Sequence, residues 1–131
     1  MKSRRIKYTV FCLIVIVVII LITLFLFKKS NYDNLNVGTF SLIEYEWEIS
    51  NYQSNINVGK LSNKVLAIEK TKSLWNKKYN IDTDKLQIKI SFDSEENCWH
   101  IYNITPSNTL GGVYHAIIRM NGDVIAIWVD D

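Results

Sequence analysis

The fold class is decided by the stretch Gly111–Asp131, "GGVYHAIIRMNGDVIAIWVDD", which predicts two strands joined by a tight turn. Asn121-Gly122 is the strongest hairpin signal in the sequence, because these residue types accept the positive φ angles that such a turn requires. We expect the strands at Val113–Met120 and Asp123–Val129. Together they would form the closing hairpin of an antiparallel sheet.

Two more strands and one amphipathic helix precede this hairpin. Leu86–Phe92 alternates between apolar and polar residues, "DSEEN" predicts a turn, and Trp99–Ile104 returns. Ser62–Tyr79 carries an apolar stripe at helical spacing, with Ser62 as its expected N-cap. The order of strand, helix and meander predicts an α+β domain, in which one long helix packs on a curved antiparallel sheet of four to five strands.

The segment Phe40–Ile49, "FSLIEYEWEI", alternates with a period of two residues from Ile43 onward. This pattern predicts a strand with one buried face and one acidic, solvated face. The expected buried side holds Ile43, Tyr45, Trp47 and Ile49, and the acidic side holds Glu44, Glu46 and Glu48.

The N-terminal part contains an uncharged apolar run of 20 residues, Tyr8–Phe27. As a helix it would be ~30 Å long, the thickness of a bilayer core. The run is not followed by a small-residue cleavage site, which favours a transmembrane anchor over a cleaved signal peptide, and Phe11 before Cys12 argues against lipid attachment. We therefore expect a basic N-terminus and anchor at 1–29, a tether at 30–38 and the α+β domain at 39–131.

Charge is divided unevenly along the chain. Four basic residues precede the apolar run and two follow it, which predicts a single-pass protein of the cell membrane with a cytoplasmic N-terminus and the domain outside the cytosol. Residues 1–29 hold six of the 15 Lys and Arg residues and none of the 13 acidic residues, so residues 30–131 carry a net charge of −4. This charge argues against a nucleic-acid partner and suits a basic protein.

One face of the sheet is expected to turn away from the helix and to carry an apolar patch. Such a patch is either covered by another segment of the chain or used as an interface. Phe40–Ile49 could cover it, or a partner protein could bind there. The candidate partner-binding residues are Tyr102, His100, His115, Ile117 and Trp128 on the sheet, together with Glu44, Glu46 and Glu48.

The sequence offers little for catalysis or metal binding. Cys98, His100 and His115 could be neighbours, but their spacing matches no zinc motif and a fourth ligand is missing. No sequence feature would activate Cys98 as a nucleophile. Gly111-Gly112 precedes no helix and no Lys-Ser/Thr pair, so it is not a phosphate loop. We expect no catalytic residues, no metal, no cofactor and no small-molecule substrate.

Residues 58–128 resemble a known family through "NVGKLSNKVLAIEKTKSLWNKKY" and the stretch from "LQIKISFDSEENCWHIYNITP" to the final hairpin. Its motif positions are matched by Val58, Gly59, Trp75, Tyr79, Trp99, Pro106, Gly111, Gly112, Val113, Ile117, Ile118 and Gly122. The stretch is similar to immunity proteins of bacterial polymorphic toxin systems that have a nuclear-transport-factor-two-like (cystatin-like) fold. The resemblance implies a cystatin-like domain and a non-enzymatic protein that neutralises a cognate toxin by occlusion.

A second function class stays open at this point. As the alternative to an immunity protein, a tethered α+β domain could be a surface sensor or peptide-binding module that regulates an envelope protein. An enzyme ranks last, because the sequence contains no convergent acid–base pair.

Overall fold

The computed structural model describes residues 2–26, 31–105 and 111–131, and it divides into two compact units, Met1–Asn31 and Tyr32–Asp131. Two features of the sequence lie outside the described residues. They are the basic pair Lys28 and Lys29 and the connection at 106–110, which includes Pro106.

The first unit contains one helix, α1, Lys2–Leu26, whose 25 residues are long and apolar enough to cross a membrane. Such a helix is consistent with a single membrane span or a signal sequence. The hydroxyl of Thr9 donates to the carbonyl of Arg5 at 2.8 Å, and that of Thr23 donates to the carbonyl of Ile19. Both hydroxyls thus find acceptors inside the helix, as an apolar environment requires.

The second unit is an α+β domain built on a five-stranded sheet in the order β1-β2-β3-β4-β5. The strands are β1 Val37–Thr39, β2 Gln87–Asp93, β3 Cys98–Ile104, β4 Val113–Arg119 and β5 Val124–Asp130, and the helices are α2 Glu46–Asn51 and α3 Lys64–Tyr79. β1 runs parallel to β2, and the other pairs are antiparallel. The predicted fold class is confirmed, with β1 formed at the end of the segment expected to be a tether, which holds Val37 and Gly38 but not Thr39.

Helix α3 covers one face of the sheet with the predicted apolar stripe, of which Ile68 and Trp75 are fully buried. The helix begins one residue later than expected, because its N-cap is Asn63 and not Ser62. The Asn63 side chain accepts a hydrogen bond from the backbone N–H of Leu66 at 2.9 Å, which satisfies one of the unpaired donors of the first turn.

The prediction that Phe40–Ile49 forms a strand is wrong. Leu42–Tyr45 is a 3₁₀ turn, and α2 follows it directly. Leu42, Tyr45 and Ile49 are spaced by three and four residues, so a helical backbone brings them to one side. That side packs on the second face of the sheet, against a buried cluster that includes Ile117.

The two faces of β3 and β4 are assigned as the alternation predicts. Trp99, Ile101, Ala116 and Ile118 pack on the α3 side, and Cys98 and Ile117 lie in the opposite cluster.

The last strand departs from strict alternation. Val124 joins the α3-side core although Ala126 and Trp128 belong to the second face. The cause is a bulge: Ile117 pairs with Ala126 and Ile118 with Val124, which leaves Ile125 as an extra residue. Strict alternation would have put Val124 on the same face as Ala126 and Trp128, and the bulge turns it to the other face.

The closing turn is fixed by a second segment that crosses it. The N–H of Val58 donates to the carbonyl of Gly122 at 2.9 Å, and the N–H of Leu61 donates to the carbonyl of Met120 at 2.8 Å. Gly122 has a φ of 97°, and a Cβ at this position would overlap the backbone of Gly59. The turn therefore requires glycine for two independent reasons.

We predict that Gly122→Ala lowers the free energy of unfolding by about 2 kcal/mol, because it adds backbone strain and a steric overlap. Gly111→Ala is the matched control, since an added Cβ there meets no atom within 4 Å. Chemical denaturation of the full chain in a nonionic detergent, followed by tryptophan fluorescence, measures both. Equal stabilities of the two variants would contradict the prediction.

Candidate functional site

The second face of the sheet carries a row of stacked rings across three strands. Tyr102 pairs with His115 across β3 and β4, and His115 pairs with Trp128 across β4 and β5. The His115 and Trp128 rings are nearly parallel, with centroids 4.5 Å apart, and the Tyr102 and His115 rings are 5.5 Å apart. Cross-strand register thus builds a continuous aromatic surface from side chains far apart in sequence.

A histidine pair lies within this surface. Nε2 of His100 is 3.0 Å from Nδ1 of His115. Nε2 of His115 lies 3.0 Å from a carboxylate oxygen of Asp130, at ion-pair distance but without hydrogen-bond alignment. The favoured tautomer has His100 Nε2–H donating to His115, because it turns the remaining His115 proton, and not a lone pair, toward the carboxylate.

Both histidines are uncharged at neutral pH. Burial, and next the neighbouring His115, lowers the pKa of His100 to about 3. Burial also lowers the pKa of His115, an effect that the charges of Asp130 and Glu48 partly oppose. The pair therefore serves as a neutral, polar part of the core, and a proton on either ring destabilises the packing around it.

The segment 40–52 covers this face. The Tyr45 ring lies 4.8 Å from the His100 ring and 6.1 Å from the Trp128 ring. Phe40 approaches His100 at 5.5 Å, and Tyr52 stacks on Trp128 at 6.1 Å. The chain thus supplies its own cover for the apolar patch, which is one of the two alternatives that the sequence left open.

The cover is fastened at both ends by hydrogen bonds. At its start the carboxylate of Asp93 accepts the N–H of Leu42 at 2.8 Å and those of Glu95 and Glu96 at 2.9 and 3.1 Å. These bonds, that of Leu42 first, lower the pKa of Asp93. At its end the N–H of Ile127 donates to the carbonyl of Tyr52 at 3.2 Å. The segment is therefore tied to both margins of the sheet.

The candidate residues of the sheet differ in accessibility. His100 and Trp128 are each 3% exposed and Ile117 is fully buried, beneath the cover, while Tyr102 and His115 are half-buried at its margin. The structure brings all five together on one face. Their part in partner binding stays a prediction, and in this conformation the chain's own residues occupy the face.

The outer side of the cover presents a surface that the sequence pattern did not identify. Ile43 and Trp47 lie one helical turn apart and are 71% and 65% exposed. Glu44 and Glu46 are exposed beside them, and Glu48 is half-buried. The expected strand had placed Ile43 and Trp47 on its buried side. The helical spacing of Leu42, Tyr45 and Ile49 was the signal that could have located this surface.

The chemistry considered for Cys98 finds no support in its environment. The thiol is buried, and burial followed by the charge of Asp93 raises its pKa to about 12. Because the thiolate is the reactive form, Cys98 is inert as a nucleophile at neutral pH. Within residues 2–26, 31–105 and 111–131, no group of three or more His, Cys, Asp or Glu side chains is placed to hold a metal ion.

We predict that the domain loses stability as the pH falls below about 6.5. His100 binds a proton more readily in the unfolded chain than in the folded domain. The neutral ring therefore contributes fully to the free energy of unfolding above the pKa that His100 has in the unfolded chain, and this contribution is lost as the pH falls toward about 3. The slope is about 1.4 kcal/mol per pH unit for one histidine. His100→Gln removes this part of the slope between pH 7.5 and 5, measured by denaturation of the full chain in nonionic detergent. Parallel pH profiles for the two proteins would contradict the assignment.

We also predict that Asp93→Asn loosens the cover. The single oxygen of an asparagine can accept from Leu42 or from Glu95 and Glu96, but not from both sides at once, so amide hydrogen exchange in residues 42–52 should accelerate more than exchange in α3. Asp33→Asn is the control, since Asp33 is exposed and its substitution removes the same charge. Unchanged exchange in residues 42–52 would show that Asp93 does not fasten the segment.

Comparison of the chain with protein-family models, with curated proteins and with solved structures finds no match.

Proposed function

We propose that this chain is a membrane-anchored, non-enzymatic immunity protein that binds a basic bacterial toxin and neutralises it by occlusion. The observation that carries the proposal is the exposed pair Ile43 and Trp47, held among glutamates on the 3₁₀ turn and on the start of α2. The resemblance of residues 58–128 to toxin-immunity proteins supports a toxin as the partner.

The exposed pair has the properties of a binding anchor. Trp47 is the most exposed of the tryptophans in the domain, and its ring makes an edge contact with Tyr52 at 5.9 Å. Tryptophan is enriched among interface residues that contribute most to binding, because its large rigid ring loses little conformational entropy. Since the other side of the segment is packed on the sheet, Trp47 is presented from a fixed platform, and ordering it on binding costs little.

The surroundings of this anchor favour a basic partner. A groove of about 370 Å³ lies between α2 and the turn that joins β2 to β3, and it is lined by apolar and acidic residues. Its lining includes Ile43, Glu46, Ile49, Glu95 and Glu96. A lysine or arginine side chain can lay its apolar stem in such a groove while its charge meets the carboxylates. The exposed carboxylates of Glu44 and Glu46 would steer a basic protein toward this side of the domain.

The N-terminal apolar helix completes the proposal. Helix α1 is taken as a permanent span, with the N-terminus cytoplasmic and the domain outside the cytosol, as the excess of basic residues before the span favours. A protein held there would meet its toxin at the envelope or during transit. Occlusion requires no catalytic residue, in keeping with an inert Cys98 and neutral histidines.

The alternative, a surface-tethered sensor or peptide-binding module that regulates an envelope protein, is favoured by a different observation. β1 pairs with β2 on one side, and all three of its residues are exposed. The other edge of a short exposed strand can accept an extended peptide by strand addition. Loss of function on replacing Gly38 by proline, with Trp47→Ala silent, would favour this alternative.

The proposal predicts that Trp47→Ala weakens toxin binding by about 2 kcal/mol, roughly thirty-fold in Kd. The partner to test is the basic toxin encoded beside this chain, with binding measured to the full chain in nonionic detergent and protection measured by survival of cells that produce the toxin. Trp128→Ala is less informative, because Trp128 is buried and its loss lowers stability as well.

A charge variant provides the second arm of this test. Glu44→Gln with Glu46→Gln should slow association and reduce its dependence on salt, since these carboxylates face solvent beside the anchor. Asp33→Asn with Glu69→Gln is the matched control, because both residues are exposed and the change in net charge is the same. Full protection by the Trp47→Ala variant, or absence of binding by the parent chain, would refute the proposal.

A further inference from the structure

A second groove, of about 500 Å³, is lined by basic instead of acidic residues and lies between α3 and the segment 56–58. Its lining residues include Lys70, Lys77, Lys78, Leu74, Ile56 and Val58. The volume is within the range of small-molecule sites, and apolar residues with a few convergent polar groups are typical of them.

The walls of this groove are preformed. Leu74 is 6% exposed and belongs to the core, so this part of α3 is anchored. The facing segment is tied to the closing hairpin on both sides. The N–H of Val124 donates to the carbonyl of Ile56 at 2.9 Å, and the N–H of Val58 donates to the carbonyl of Gly122 at the same distance. A ligand would therefore enter without rearranging the backbone.

The lysines of α3 fall into two groups. On the side toward the N-terminal segment of the domain, Lys64 donates to the carbonyl of Leu35 and Lys72 donates to the hydroxyl of Tyr32, each at 2.8 Å. The groove lysines differ: within residues 31–105 and 111–131, their ammonium groups make neither a hydrogen bond nor an ion pair. Lys78 lies 5.8 Å from the centre of the Tyr79 ring, a contact that leaves its N–H donors available.

The helix dipole accounts for only part of this arrangement. Lys77 and Lys78 occupy the last turn of α3, where positive charge is favourable. Lys70 lies two turns earlier, beyond the reach of that effect, and no acidic residue is among the described residues that line the groove. Three lysines thus line one groove in a domain with a net charge of −4. An anion bound there would offset their mutual repulsion.

We infer that this groove is a binding site for a phosphate-bearing ligand, held by Lys70, Lys77 and Lys78 above an apolar floor. A phosphate group accepts several hydrogen bonds and carries more charge than one carboxylate, so it matches three ammonium groups together with the hydroxyl of Ser73. The floor of Leu74, Ile56 and Val58 accommodates an apolar part of the same molecule. Such a ligand could be a phospholipid headgroup or a soluble phosphate compound.

The experiment measures lysine acetylation by mass spectrometry on the full chain. One arm uses the chain in a phosphate-free nonionic detergent, with and without added inorganic phosphate, and the other transfers it to lipid nanodiscs that contain phosphatidylglycerol. A bound phosphate group should slow acetylation of the three groove lysines roughly five-fold at a ligand concentration a few times its Kd. Lys60 and Lys85, both exposed and outside the groove, are internal references.

Protection by inorganic phosphate assigns a soluble ligand, and protection only in anionic discs assigns a lipid headgroup; either result supports the site. Lys77→Gln with Lys78→Gln should abolish the protection of Lys70, while Lys60→Gln with Lys85→Gln, the same change in charge, should preserve it. Absence of protection in both arms, or equal protection of Lys60 and Lys85, would overturn the inference. Neither result depends on toxin binding, so the site and the proposed function are tested separately.

Discussion

The packing of the Tyr45 ring against His100 and Trp128 is the contact on which the outer half of the domain depends. It is the point where the segment 40–52 meets the stacked surface of the sheet, 4.8 Å from one ring and 6.1 Å from the other. Each such aromatic contact is worth about 0.5–1.5 kcal/mol beyond the area that it buries. Leu42 and Ile49 pack on the same buried cluster beside Tyr45, so the ring lies at the centre of the contact between the cover and the sheet.

The same contact links the buried face to the exposed one. Because Tyr45 and Ile49 point inward, the helical backbone must turn Ile43 and Trp47 outward. The orientation of the proposed anchor is thus a consequence of core packing and not of a flexible loop. The neutral histidine pair beneath Tyr45 contributes to this rigidity, since a charged ring in that position would have to be solvated.

The strongest local signals in the sequence predicted most of the fold. Asn121-Gly122 gave the hairpin, and the stripe around Ile68 and Trp75 gave α3, because each pattern fits only one secondary structure. Smaller errors have local causes. Asn63 and Ser62 are both good N-caps, and the bulge at Ile125 leaves no trace in an apolar strand. Three residues are too few to reveal β1 by periodicity.

The candidate site was harder to predict, because "LIEYEWEI" satisfies two periods at once. Its alternation fits a strand, while Leu42, Tyr45 and Ile49 fit a helix, and a run this short does not separate the two. Its three glutamates are poor strand residues and good helix residues, and this preference agrees with the structure. Packing on the sheet decides between helix and strand. The face of the sheet that α3 leaves open is apolar, and the helical stripe of Leu42, Tyr45 and Ile49 packs on it.

Net charge is a poor guide to the partners of this domain, because its charges are segregated. Seven of the nine basic residues in 30–131 lie between Lys60 and Lys85, whereas Glu44, Glu46 and Glu48 cluster on the cover. Screening at physiological ionic strength reduces interactions beyond ~8 Å, so each patch acts on whatever is next to it. A domain that is acidic as a whole can therefore attract a basic protein through α2 and hold a phosphate group beside α3. The value of −4 describes neither surface.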